Sequence, residues 1–273
     1  WGLTVKTEDI GRFGQLYLQK GVLGGQQVIP SGWMEMATSK QVPNGEGDAS
    51  DWTQGYGYQF WRCRHGAYRG DGAFGQYCVV LPEQDAVVAI TSGLKDMQAV
   101  LNLVWDKLLP GFQAAPLPED RDGLAALRSR LSGLKVKAAE GAATSPVAAS
   151  VAGKTYVFPA NDSKLESLTF SPDADGKGAS LGVRLGGAET KIACGYQEWR
   201  RGKGTMGSYL DEPTGATGAW AKEATYVVKQ VFVETPFYLT MTLQFAGADL
   251  TCALETNIGF GATKKPPLAG HAE

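Results

Sequence analysis

Apolar and polar positions alternate most regularly near the C-terminus, where Leu239, Met241, Leu243 and Phe245 interleave with Tyr238, Thr240, Thr242 and Gln244. A period of two puts one set on a buried face and the other in water, so this run is a strand with one wet side. From Val151 onward similar short runs recur: Lys154 to Phe158, Leu165 to Phe170, Ser180 to Leu185, Thr190 to Cys194, Gly218 to Ala221, Thr225 to Val233, Phe237 to Phe245 and Leu250 to Glu255. Short strands with no helical stretch between them predict an all-β domain over 151–260, either a sandwich or a lipocalin-like barrel. Residues 261–273, with Lys264-Lys265-Pro266-Pro267, read as a flexible tail.

The first 110 residues carry a different pattern. Ile10, Phe13, Leu16 and Tyr17 share one face of a helix over 7–20, with Thr7 as its cap, Glu8 and Asp9 at the positive end of its dipole, and Gly21 as its stop. A second helix begins near Ser31 with Trp33, Met36 and Ala37 inward, and the turn-rich stretch 43–54 reads as a surface loop. Gly55 to Arg64, Gly75 to Leu81 and Ala86 to Ser92 are three strands that pair most simply as an antiparallel meander. Met97, Val100, Leu101, Val104, Trp105 and Leu108 then give a helix with one apolar stripe. The fold class is α+β. Residues 111–150 connect the two textures, with a helix from Glu119 to Leu134 and a small-residue linker from Ala138 to Ser150, so a domain boundary falls there.

Composition narrows the function classes. The 273 residues are 43% hydrophobic and 20% charged, as in a globular chain, and no 18-residue apolar run is present to span a membrane. A net charge of −2 with scattered Lys and Arg offers no footprint for nucleic acid. Cys63, Cys78, Cys194 and Cys252 lack C-x-x-C spacing and only two histidines accompany them, which argues against a zinc site. Cys63 and Cys78 either face each other across paired strands or are, like most free cysteines, small buried thiols.

Two stretches carry a family likeness: Trp1-Gly-Leu-Thr-Val-Lys-Thr-Glu-Asp-Ile-Gly-Arg-Phe-Gly-Gln-Leu-Tyr-Leu18, and Tyr68-Arg-Gly-Asp-Gly-Ala-Phe-Gly-Gln-Tyr-Cys-Val-Val-Leu-Pro-Glu-Gln-Asp-Ala-Val-Val-Ala-Ile-Thr-Ser92. Residues 1–110 thereby resemble the C-terminal portion of the serine β-lactamase-like hydrolases, the family of class C β-lactamases, penicillin-binding proteins and esterases. The resemblance implies a parent that attacks an ester or amide through an acyl-serine, with no metal or organic cofactor and a periplasmic or secreted location. It also implies that the nucleophile and the Tyr motif lie upstream of Trp1, so that this chain holds no catalytic residue and is inactive alone. The family's substrate-edge motif falls on Arg69, Gly70, Asp71, Gly72 and Ala73, where no lysine stands. The alternative is a non-catalytic binding or structural module built on the all-β domain.

Other candidate groups are weak. Ser92-Gly-Leu-Lys95 and Ser132-Gly-Leu-Lys135 match Ser-x-x-Lys, but a pattern with two fixed letters arises about once by chance in a chain of this length. Ser92 reads as a cap or turn residue, His65 as an exposed histidine with nothing to activate, and Tyr56 and Tyr58 as strand packing. Arg69 to Gly72 has a plain reading as a hairpin loop, since Asp-Gly supplies positive φ. Trp199, Trp220, Tyr226, Phe232 and Phe237 either fill a core or line a ligand cavity. Arg200-Arg201-Gly202-Lys203 reads as a solvated basic loop.

Overall fold

A computed structural model describes residues 3–206 and 209–273; Trp1 and Gly2, at the start of the family-like stretch, lie outside the described residues. The chain forms two compact units, 1–119 and 120–273, each described by itself.

In the first unit, helix α1 (Thr7–Leu18) is followed by the two-residue strands β1 (Val22–Leu23) and β2 (Gln26–Gln27) and by helix α2 (Ser31–Thr38). A four-stranded antiparallel sheet then runs in order β3 (Trp61–Arg62), β4 (Tyr68–Gly72), β5 (Gln76–Leu81) and β6 (Ala86–Ile90). Helix α3 (Met97–Leu103) closes the unit and loosens into wider π winding from Val104 to Leu108. Leu101, Val104 and Trp105 sit in its core beside Tyr77, Val79 and Leu81.

Several local readings change. Thr7 lies inside α1 rather than capping it. The helix approaches the sheet through Gly14, where a Cβ would fall 2.5 Å from Val87 and 2.7 Å from Cys78. The expected inward Phe13 is 46% exposed. In α2 the buried residues are Met34 and Ala37, while Trp33 and Met36 face outward. The supposed loop at 43–54 ends in a buried anchor. Asp51 is fully buried and accepts from the Arg64 amide at 2.8 Å, the Arg64 guanidinium at 3.0 Å, Gln98 at 2.7 Å and the Trp105 indole at 2.9 Å. Burial alone would raise this carboxyl, but the hydrogen bonds from Gln98, Trp105 and Arg64 outweigh it and hold Asp51 below its ordinary value.

The second unit begins with α4 (Arg121–Ser132), capped by the Asp120 carboxylate accepting from Gly123 at 2.8 Å. After α5 (Ala148–Val151) the strands are β7 (Thr155–Val157), β8 (Leu165–Pro172), β9 (Gly178–Leu185), β10 (Ala188–Gly195), β11 (Arg200–Met206), β12 (Tyr209–Lys222), β13 (Thr225–Phe232), β14 (Tyr238–Ala246), β15 (Asp249–Thr256) and β16 (Leu268–Ala272). They form one sheet in the order β10-β9-β8-β7-β16-β15-β14-β13-β12-β11, and Gly195 of β10 bridges Thr217 of β12 to close it. Of the two architectures the sequence left open, the closed barrel is the one formed.

Three stretches differ from expectation here. The tail is not frayed: β16 pairs with β15 on one side and with β7 on the other, completing the wall. The basic run Arg200 to Lys203 is strand β11, with Arg200 ion-paired to Asp173. The linker is a strap. Ala142 exchanges two 2.9 Å hydrogen bonds with Trp220, the Ala139 amide donates to Thr217 Oγ1 at 2.8 Å, and Val147, Ala148 and Val151 join the barrel core. All four cysteines are buried free thiols; Cys78 lies opposite Gly70 and Ala89, not Cys63.

Two outcomes follow. Asp51→Ala is expected to destabilise the first unit by about 3 kcal/mol, since it strips a buried partner from several donors. Because the folded carboxyl is lowered from 3.8, its stabilisation is full above that value and lost as pH falls through the folded pKa. Urea midpoints of wild type and variant should therefore differ at neutral pH and converge in acid. Limited proteolysis should cut first within the exposed stretch 112–120 and spare 139–151.

Candidate functional site

The inner face of the barrel follows the strand period. Tyr226, Val228, Gln230 and Phe232 point inward from β13, Leu239, Met241, Leu243 and Phe245 from β14, and Leu250, Cys252 and Leu254 from β15. The two ends of the interior are filled differently.

At one end Tyr156, Phe170, Trp220, Tyr226 and Phe245 form an aromatic plug, with ring centroids 4.9 Å apart for Phe170 and Tyr226 and 5.2 Å for Trp220 and Tyr226. Gly218 makes room for it, since a Cβ there would lie 2.1 Å from the Tyr226 hydroxyl. Burial raises the hydroxyl pKa of Tyr226 well above its ordinary value. The strap at Ala142 covers this end through Trp220.

Toward the other end the side chains are mostly aliphatic, with Phe232 and Phe237 among them, and do not meet. They leave a cavity of about 530 Å³, walled by residues that include Leu168, Val183, Ile192, Phe232, Leu239 and Met241. This lies within the roughly 300–1,000 Å³ of small-molecule sites. Ser163, Thr256, Thr263 and Lys265 also border it, and Lys265, exposed and 3.5 Å from the Ser163 hydroxyl, is the one charged residue among its described lining. Cys252 faces the same space, its thiol raised by burial to about 12 and thus inert near neutrality. No cluster of three or more potential metal ligands occurs among the described residues, and none of their helices is long and apolar enough to cross a membrane.

The residues singled out from the sequence lie elsewhere or divide. Arg69 to Gly72 form strand β4, not a loop, and the turn begins at Ala73. Arg69 is fully buried: it donates to Asp71 at 2.9 Å and to the Asp51 carbonyl at 2.9 Å, and its guanidinium lies 4.4 Å from the Trp52 ring. Burial raises Asp71 despite this partner. Ser92 donates to the carbonyls of Phe74 and Gly75, and the cap of α3 is Asp96, not Ser92. Ser132 donates to the Ser129 carbonyl, and exposed His65 lies 5.2 Å from the Trp105 ring. Of the five aromatics proposed as a core or a cavity lining, Phe232 and Phe237 line the cavity, Trp220 and Tyr226 belong to the plug, and Trp199 donates to the Val136 carbonyl. Gln230 passed unnoticed, although a polar residue in the inward phase of Tyr226, Val228 and Phe232 was a readable signal.

No family model matches the chain, and no curated protein does. Among solved structures it is similar to a fatty acid-binding protein from the brain of Drosophila melanogaster, at 9% identity and a TM-score of 0.34, covering 45% of this chain and 99% of that one. It is similar to lipid binding protein 8 of Caenorhabditis elegans, at 8% identity and a TM-score of 0.35, covering 46% and 96%. It is also similar to a Schistosoma mansoni fatty acid binding protein in complex with arachidonic acid, at 8% identity and a TM-score of 0.35, covering 47% and 98%. Such low scores carry no inference about ligand.

These findings correct the expected identity. Neither a family model nor a curated protein supports the reading of residues 1–110 as a serine β-lactamase-like lobe of class C β-lactamase, penicillin-binding protein or esterase type, and that reading is withdrawn. The ester or amide substrate of an intact parent rested on that resemblance alone and goes with it.

Proposed function

We propose that this chain is a non-catalytic binding module whose barrel holds one small apolar molecule. The supporting observation is the cavity itself: about 530 Å³ of space bordered by Leu168, Ile192, Leu239 and Met241 and closed at the far end by aromatic rings. Apolar walls that cannot collapse, because a closed sheet holds them apart, are stabilised by any apolar occupant that fills them.

The test is titration of the full chain with the neutral dye nile red. One saturable site is expected, with blue-shifted emission. Met241→Trp, which fills the cavity, should weaken binding at least tenfold, whereas Lys229→Ala on the outer face of β13 should leave it unchanged. Absence of saturable binding, or equal binding by Met241→Trp, would sink the proposal.

A further inference from the structure

Gln230 is the one buried polar residue among the described lining of the cavity. It is 3% exposed and borders the cavity between Leu239 and Ala216, its neighbours on β14 and β12. Its backbone is paired on both sides, while its side-chain amide has no hydrogen-bond partner among the described residues and is not sealed off, so it faces the space of the cavity. Space has been left for that amide: a Cβ on Gly204 of β11 would come within 2.9 Å of Nε2. An amide set in an otherwise apolar wall can be served only by what enters the cavity, and an apolar ligand that displaced water from it without replacing those hydrogen bonds would lose affinity.

We infer that Gln230 anchors the uncharged polar group of the ligand, which is therefore an apolar molecule bearing one hydroxyl or carbonyl carried deep into the barrel. This rests on the proposed role of the cavity. An amide both donates and accepts, so it fits an alcohol, a ketone or an ester alike. An ionised headgroup is disfavoured at this depth, because the charged lining residue, Lys265, stands exposed at the rim and a carboxylate beside Gln230 would lose its hydration without gaining a cation. A fatty acid would instead have to sit head-outward, against Lys265.

The two orientations separate in competition experiments. Decan-1-ol, decane and decanoate are each used to displace nile red from the full chain, from Gln230→Leu and Gln230→Met, and from Lys265→Met. Decan-1-ol is expected to compete best in wild type. Either change at Gln230 should weaken it roughly tenfold, the loss of one hydrogen bond to a buried group, while decane stays the same. Lys265→Met should have no effect on decan-1-ol. Melting curves establish that the variants fold, and the two replacements guard against a misfit of either one. Equal competition by decan-1-ol and decane, or a preference that survives both Gln230 variants, overturns the inference and leaves the cavity reading standing. Preference for decanoate that Lys265→Met abolishes does the same and puts the headgroup at the rim. Failure of nile red and all three competitors to bind overturns both.

Discussion

A closed sheet has to fill its own interior, and in this barrel the filling is uneven. The wall of β7 to β16 is held by hydrogen bonds between every neighbouring pair, with the last strand inserted between β7 and β15 and the bridge from Gly195 to Thr217 completing the circuit. That closure fixes the separation of opposite walls regardless of which side chains point inward. Where Tyr156, Phe170, Trp220, Tyr226 and Phe245 pack ring against ring the space is full; where Leu, Ile and Met predominate it is not. The cavity is thus a consequence of side-chain choice on a frame that cannot shrink.

The same constraint explains the small residues. Gly218 exists beside a tyrosine hydroxyl that would overlap its Cβ at 2.1 Å, and Gly204 beside the amide of Gln230. In the first unit Gly14 plays a comparable part, letting α1 sit against Val87 and Cys78. There the buried Asp51 takes over the ordering role, joining the loop before it, Arg64 and α3 through hydrogen bonds whose donors all come from other segments.

What could be read from the sequence was periodicity, and it served where periodicity was strong. The alternation over 238–245 placed Leu239, Met241, Leu243 and Phe245 inside, as they are. It failed where long-range pairing outweighs local composition. Arg200 to Lys203 and Leu268 to Ala272 look like loop and tail, yet both become strands because an unpaired neighbour offers hydrogen bonds. Helix faces were misjudged for a related reason: Phe13 and Trp33 are the largest apolar residues of their helices, but glycine and alanine permit the closest approach. Of the site, Phe232 and Phe237 were within reach and Gln230 was missed. The family likeness drawn from Trp1 to Leu18 and Tyr68 to Ser92 misled, because short turn-and-strand motifs recur wherever hairpins do.

Calorimetric titration of the full chain with decan-1-ol at several temperatures tests the central claim most directly. Transfer of an apolar molecule into the barrel should give one site per chain and a negative heat-capacity change, both lost in Met241→Trp. No saturable heat at any temperature, or the same isotherm from Met241→Trp, would contradict it.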